Sequence, residues 1–208
     1  NLINDMNILI LGSGGREHTF AWKISQSPLC KKLFIAPGNG GTSRYGENIY
    51  VDINNFDEIK SLVIENKIDF VLVGPEDPLV NGIVDYFEQS YELKNVKIFG
   101  PNKLGAQLEG SKSFSKSFMK RHKIPSANFK SFDVNEVDEG IKFLRSSSPP
   151  FVLKADGLAA GKGGIISKNL EDAENSFKNM LVNKQFGKAS DKVLIEEFLS
   201  GIEISCFI

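Results

Sequence analysis

Lys154 is the residue whose chemistry stands out first. It closes an apolar run, Phe151-Val152-Leu153, and opens the loop Ala155-Asp156-Gly157-Leu158-Ala159-Ala160-Gly161-Lys162-Gly163-Gly164, after which Ile165-Ile166 is apolar again. That order reads as strand, loop, strand, a hairpin whose tip can fold over a polyphosphate. Gly157, Gly161 and Gly163, with Ala160 between them, let backbone N–H groups approach phosphate oxygens. Lys154 and Lys162 neutralise charge that amides alone cannot. The spacing is not that of a Walker loop, because Lys162 is followed by Gly163 and not by Ser or Thr. A plain glycine hairpin would explain the turn but not a lysine ending an apolar strand.

Three loops in the first half carry a different chemistry. Gly12-Ser13-Gly14-Gly15-Arg16-Glu17-His18 follows an apolar run and opens a helical pattern. A dinucleotide fingerprint would need a third glycine where Glu17 stands, and an acidic residue where the second run ends in Pro37-Gly38-Asn39-Gly40. What remains is a helix N-terminus with Gly14, Gly15, Arg16 and Glu17, suited to a phosphate monoester. The plain alternative is a tight βα turn. Pro37-Gly38-Asn39-Gly40-Gly41-Thr42 has more glycine than a turn needs, so its amides and the Thr42 hydroxyl are candidates to clamp a phosphate. Glu76 and Asp77, after Gly74-Pro75, can bind ribose hydroxyls or an amine, or simply place charge at a helix N-terminus.

In the second half Lys112 is one of several lysines on a helical segment, and by itself reads as a solvated charge. Glu196-Glu197-Phe198-Leu199 ends a strand-like run, with Glu203 just beyond. Backbone groups, an apolar side chain and a nearby carboxylate are what an adenine edge and a ribose need. A surface turn is the alternative.

The elements that must position these residues alternate. Strands are expected at 7–12, 32–36, 69–74 and 96–100, with helices at 17–25, 56–65 (capped by Asn54 or Asn55) and 79–88. This predicts an α/β unit, a parallel sheet with helices on both faces and ligands at the carboxyl ends of the strands. The second half differs: a lysine-rich helix at 111–122 ended by Pro125, a strand at 127–132, a helix at 134–145, the hairpin, a helix at 170–181, and strands at 192–196 and 203–208. The last strand would need a neighbour, and a globular domain rarely stops there.

Composition narrows the class. The chain has 208 residues, 41% hydrophobic and 25% charged, with 25 Lys+Arg against 26 Asp+Glu, so no global basic field points to nucleic acid. No apolar run approaches the roughly 18 residues of a membrane span, and no signal peptide is legible. Cys30 and Cys206 read as buried free thiols of a reducing, cytoplasmic compartment.

Taken together, Gly12–His18, Ala36-Pro37-Gly38-Asn39, Val73-Gly74-Pro75-Glu76, Phe99-Gly100-Pro101, Gln107–Lys112, Lys154–Gly163 and Ile195–Leu199 resemble the glycinamide ribonucleotide synthetase family of ATP-grasp ligases, from Ile8 to Phe207. The resemblance implies a pre-ATP-grasp substrate domain over 1–101 and an incomplete ATP-grasp α+β domain over 102–208, with a lid hairpin subdomain at about 126–190. It implies ATP-dependent ligation of glycine to 5-phosphoribosylamine through a glycyl phosphate, in purine biosynthesis. Lys112 and Lys154 would contact ATP phosphates and the 157–163 loop would close over them. Glu196 to Leu199 would hold adenine, Glu203 the ribose, and the first-half loops phosphoribosylamine. Mg²⁺ is implied too, but its ligands and much of the glycine site are expected beyond residue 208, so this piece alone is expected to be inactive. Asp77 and Gly164 depart from the family's usual small or apolar residues. Another ATP-grasp ligase would lack the first two loops together. A non-enzymatic nucleotide-binding module would bind ATP without turnover, and a dehydrogenase would bind NAD.

Overall fold

The computed structural model describes residues 5–206. The chain divides into two compact units between Gln107 and Leu108. In the first, β1 (Met6–Gly12), β2 (Cys30–Pro37), β3 (Glu47–Asn48), β4 (Phe70–Val73) and β5 (Lys97–Phe99) form a parallel sheet in the order β3-β2-β1-β4-β5. β1 alternates between two cores, as a strand buried on both faces must. Leu9 and Leu11 pack with Ile59, Leu62 and Val63 of α2 (Phe56–Glu65) and with Ile83, Val84 and Phe87. Ile8 and Ile10 pack with Ala21 and Phe20 of α1 (Gly15–Ile24). The chain leaves β1 for β2 on one side and later enters β4 on the other. The carboxyl ends of β1 and β4 therefore flank the point where strand order reverses, with that of β2 next to β1, where open sheets bind ligands.

The expected helix at 79–88 is two: α3 (Glu76–Asn81) and α4 (Ile83–Gln89), separated by Gly82 at φ 98°. α5 (Lys103–Gly110) has no counterpart among the expected elements. Asn55, one of the two expected caps, accepts from the Glu58 amide at the start of α2.

In the second unit, β6 (Phe129–Asp133), β7 (Phe151–Ala155), β8 (Gly164–Ser167) and β9 (Lys192–Glu196) form an antiparallel sheet in the order β6-β9-β7-β8. Phe132, Leu153, Val193 and Ile195 on one face pack against α7 (Val137–Arg145) and α8 (Leu170–Leu181), whose Leu144, Phe177, Met180 and Leu181 are buried. Period-two alternation puts Lys154 and Glu196 on the opposite face. α6 (Lys112–Arg121) starts from the Ser111 cap, whose hydroxyl accepts from the Phe114 amide. The expected strand at 203–208 is not found over Glu203–Cys206, and residues 207 and 208 lie outside the described part. Cys30 is half-buried, and burial raises its thiol pKa. Cys206 is exposed, contrary to the expectation of two buried thiols. No helix among the described residues is long and apolar enough to cross a membrane.

Candidate functional site

The second unit gathers its two lysines through an aspartate that the sequence reading passed over. Asp156 follows β7, and its carboxylate accepts from Ser111 Oγ at 2.9 Å and from the Ser113 amide at 2.6 Å. That carboxylate at the N-terminus of α6 satisfies one orphan amide and complements the helix dipole, and the Asp156 carbonyl accepts from the Lys112 amide. It also ties the start of the glycine loop to Lys112, whose Nζ donates to the Gly157 carbonyl at 3.1 Å and more distantly to that of Asp156. Lys112 is thus half-buried and engaged, not a solvated charge. Burial holds its ammonium below the usual lysine pKa; Asp156 opposes that shift and Lys154 adds to it.

Lys112, Lys154, Ala159, Gly161, Gly163 and Gly164 line one cavity of about 220 Å³. Two ammonium groups beside each other under a glycine loop make a receptor for a polyanion. The glycines divide by role. A Cβ at Gly157 would strike Ala189, and one at Gly163 would strike Ala159, so these two are glycine for close packing. Gly161, at φ 75°, faces open space, as does Gly164, and Ala160 also holds a positive φ of 48°. The exposed tip holds Ala160, Gly161 and Lys162, whose amide donates to Ala159 at 2.9 Å.

Glu196 is buried, and its Oε2 lies 2.9 Å from Lys154 Nζ. Its side chain therefore points across the sheet face to the lysine. In the exposed chain after it the Glu197 amide bonds Asn128 O at 2.8 Å, and Phe198 and Leu199 offer backbone groups. The Glu197 carboxylate itself accepts from the amide and side chain of Asn128. Glu203 is exposed on irregular chain.

In the first unit the three loops meet at the ends of β1, β2 and β4, and they mostly bond to one another. Arg16 donates to Glu76 at 2.9 Å, and that bond holds the Glu76 carboxyl below its ordinary pKa. Thr42, expected to present its hydroxyl, is fully buried. Its Oγ1 bonds Asn39 O and Asn48 Oδ1 and accepts from the Asn39 amide. Asn39 Oδ1 in turn takes the Gly41 and Thr42 amides, and its Nδ2 reaches Ser13 O at 2.8 Å. The Gly38 amide bonds Gly12 O, which leaves the Gly40 amide without a protein acceptor among the described residues. Glu17 turns inward. Its Oε2 accepts from the Gly14 amide at 2.6 Å, while Oε1 is buried without a hydrogen-bond partner. A Cβ at Gly12, Gly14 or Gly74 would lie within 3.0 Å of this side chain. Glu17 thus fills a slot that three glycines leave open. Gly14, Gly15 and Arg16 remain exposed around it.

The class comes first from the second unit: residues 110–208 match the profile described as phosphoribosylglycinamide synthetase, ATP-grasp (A) domain. The biotin carboxylase domain of Hydrogenobacter thermophilus 2-oxoglutarate carboxylase shares the fold, with TM-score 0.73 at 18% identity over 94% of this chain and 45% of that one. Residues 6–109 match the profile of the phosphoribosylglycinamide synthetase N domain, so the chain belongs to that family. It is 47% identical over 205 residues to phosphoribosylamine–glycine ligase of Haemophilus influenzae and 45% identical to that of Escherichia coli K12, in each case over 98% of this chain and 46% of the relative. A crystal structure of phosphoribosylamine–glycine ligase from Thermotoga maritima superposes with TM-score 0.72 at 32% identity, over 94% of this chain and 44% of that one. The chain spans about half the length of the curated relatives it matches.

Proposed function

We propose that this chain supplies the phosphoribosylamine-binding and nucleotide-phosphate-binding parts of an ATP-dependent carboxylate–amine ligase that joins glycine to 5-phosphoribosylamine. The observation that carries the reading is the cavity shared by Lys112, Lys154 and the glycine loop. In the reaction, the γ-phosphoryl group of ATP passes to the glycine carboxylate, releasing ADP. The amine of phosphoribosylamine then attacks the acyl carbon of glycyl phosphate and, losing a proton, displaces phosphate to give glycinamide ribonucleotide.

Catalysis of this kind is mainly positioning and charge neutralisation. Lys112 and Lys154 hold the phosphates, and Gly157, Ala160, Gly161, Lys162 and Gly163 form the loop that closes over them. The backbone of Glu196, Glu197, Phe198 and Leu199 receives adenine, and Glu203 the ribose. Gly14, Gly15, Arg16, Gly38, Asn39, Gly40 and Glu76 face phosphoribosylamine; Glu17 and Thr42 keep their loops in shape. We assign 1–101 to the substrate domain and 102–208 to a partial ATP-grasp domain, with the lid hairpin at about 126–190. A cytoplasmic location follows from the same reading. Among the described residues no three His, Cys, Asp or Glu side chains gather into a group that could hold a metal. No Mg²⁺ ligand is therefore assigned, and no step is routed through it.

Calorimetric titration of the chain with Mg-ATP, against NAD as control, tests the nucleotide site. ATP is expected to bind and NAD not to. Lys154→Ala should weaken ATP by about tenfold to a hundredfold, the worth of a hydrogen bond to a charged group. Unchanged ATP affinity in that variant refutes the role of Lys154.

A further inference from the structure

Two ammonium groups converge on one buried oxygen. Glu196 Oε2 lies 2.9 Å from Lys154 Nζ and 3.6 Å from Lys116 Nζ. The two lysines differ in what else they touch. The Lys116 side chain is 13% exposed, and its Nζ donates to the Ala127 carbonyl at 3.0 Å. The Lys154 side chain is 38% exposed and opens onto the cavity with Lys112. One carboxylate carries one negative charge, so Glu196 compensates only one of the two cations. The more exposed lysine is the one that can turn to an incoming anion, and the more buried one is the one that can stay.

We propose that Lys116 is a positioning residue for the nucleotide site, a reserve counter-ion that covers Glu196 when Lys154 turns to a phosphate. The inference rests on the reading that the cavity takes nucleotide phosphates. Its physical basis is the asymmetry of buried ion pairs: a pair adds little to stability, but stripping one partner from a desolvated charge is costly. Without Lys116, Lys154 could reach a phosphate only by leaving the Glu196 carboxylate bare. The penalty would appear as weaker phosphate binding. Adenosine, which has no phosphate, asks nothing of Lys154 and is indifferent to the reserve.

The test is the ratio of ATP to adenosine affinity, measured by calorimetry on the wild-type chain and its variants. Lys116→Met should lower that ratio about tenfold, as expected when one charge-assisted contact is lost, and Lys116→Arg should restore it. Adding Glu196→Gln to Lys116→Met removes the charge that needs covering and should also return the ratio to the wild-type value or above. If ATP and adenosine weaken together, or the ratio does not move, Lys116 is only a strut between α6 and Ala127 and the proposal is overturned. Should Lys116→Met fail to fold, as judged by circular dichroism, Lys116→Gln replaces it, since an amide can still donate to the Ala127 carbonyl but carries no charge: the ratio should again fall about tenfold, and an unchanged ratio overturns the proposal. A wild-type chain with equal affinity for ATP and adenosine would sink the nucleotide reading itself, a result distinct from failure of the Lys116 role alone.

Discussion

The loops of the first unit and the glycine loop of the second have similar compositions but spend their polar groups differently. Around Asn39, Thr42, Asn48 and Ser13, loop atoms bond to loop atoms, and Arg16 and Glu76 join two of the loops through an ion pair. The loop after β7 is anchored mainly at its ends. The Asp156 and Gly157 amides bond Lys192 O and Ala189 O, the Ala155 amide bonds Gly163 O, and within 158–162 the Lys162 amide bonds Ala159 O. On the proposed reading the first arrangement would be a preformed receptor, one that loses little entropy on binding a ligand. The second leaves a tip with few tethers, able to order over a ligand at an entropic cost that binding must offset.

The contrast breaks most sharply if the packed loops tolerate a side chain. Gly74→Val drives branched carbon into the buried Glu17 carboxylate and should cost about 2–3 kcal/mol of first-unit stability, as overpacking does. Urea unfolding of the variant would measure it, and a loss below about 0.5 kcal/mol would mean the loops are not closed on themselves. Thr42→Val keeps the volume but strands the Asn39 amide and the Asn48 carbonyl. It should cost about 1–2 kcal/mol by the same measurement, the usual penalty for unpaired buried polar groups.

The smallest effects are in titration, and they have opposite signs in the two units. The Arg16 hydrogen bond depresses the folded pKa of Glu76 below 4.5. Its stabilisation is therefore present above the unfolded pKa and lost as pH falls through the folded one. In Arg16→Gln the Glu76 midpoint should rise toward 4.5, read by carbonyl NMR; a midpoint that stays put would deny the pair any grip on the loops. Lys112 is the converse case. Burial disfavours its ammonium, so at neutral pH the penalty is fully present. It is relieved as pH rises through the folded pKa toward 10.5. Phosphate binding should reverse that shift, so ATP titrated in that alkaline window should bind with proton uptake.

Much of the frame was legible because burial wrote it. β1, β4 and β9 are apolar runs, and α2 and α8 fall on the residues expected of them, since their apolar stripes face a core. α5 was not legible for the opposite reason: its Leu104 and Leu108 are exposed and leave no core stripe to read. The break at Gly82 hid inside a continuous apolar spacing from Leu79 to Phe87. In the site, Lys154 announced itself as a charge on an apolar strand, whereas Lys112 stood out only through resemblance. Lys116 had no signal, because its acid lies on a distant strand and α6 carries several lysines. The glycine- and asparagine-rich loop after β2 was ambiguous in principle. Groups that can clamp a phosphate can equally clamp each other, and Thr42 does the latter.

The slot around Glu17 has a consequence for descent. Gly12 and Gly14 stand far from Gly74 along the chain, yet a methyl at any of the three would meet the same Glu17 side chain, most closely at Gly74. At Gly74 a larger residue must follow a change at position 17, at Gly14 the acid need yield only slightly, and at Gly12 the backbone at φ 122° asks for glycine whatever stands at 17. Two loops distant in sequence therefore share one packing constraint, and positions 17 and 74 are free to drift only as a pair.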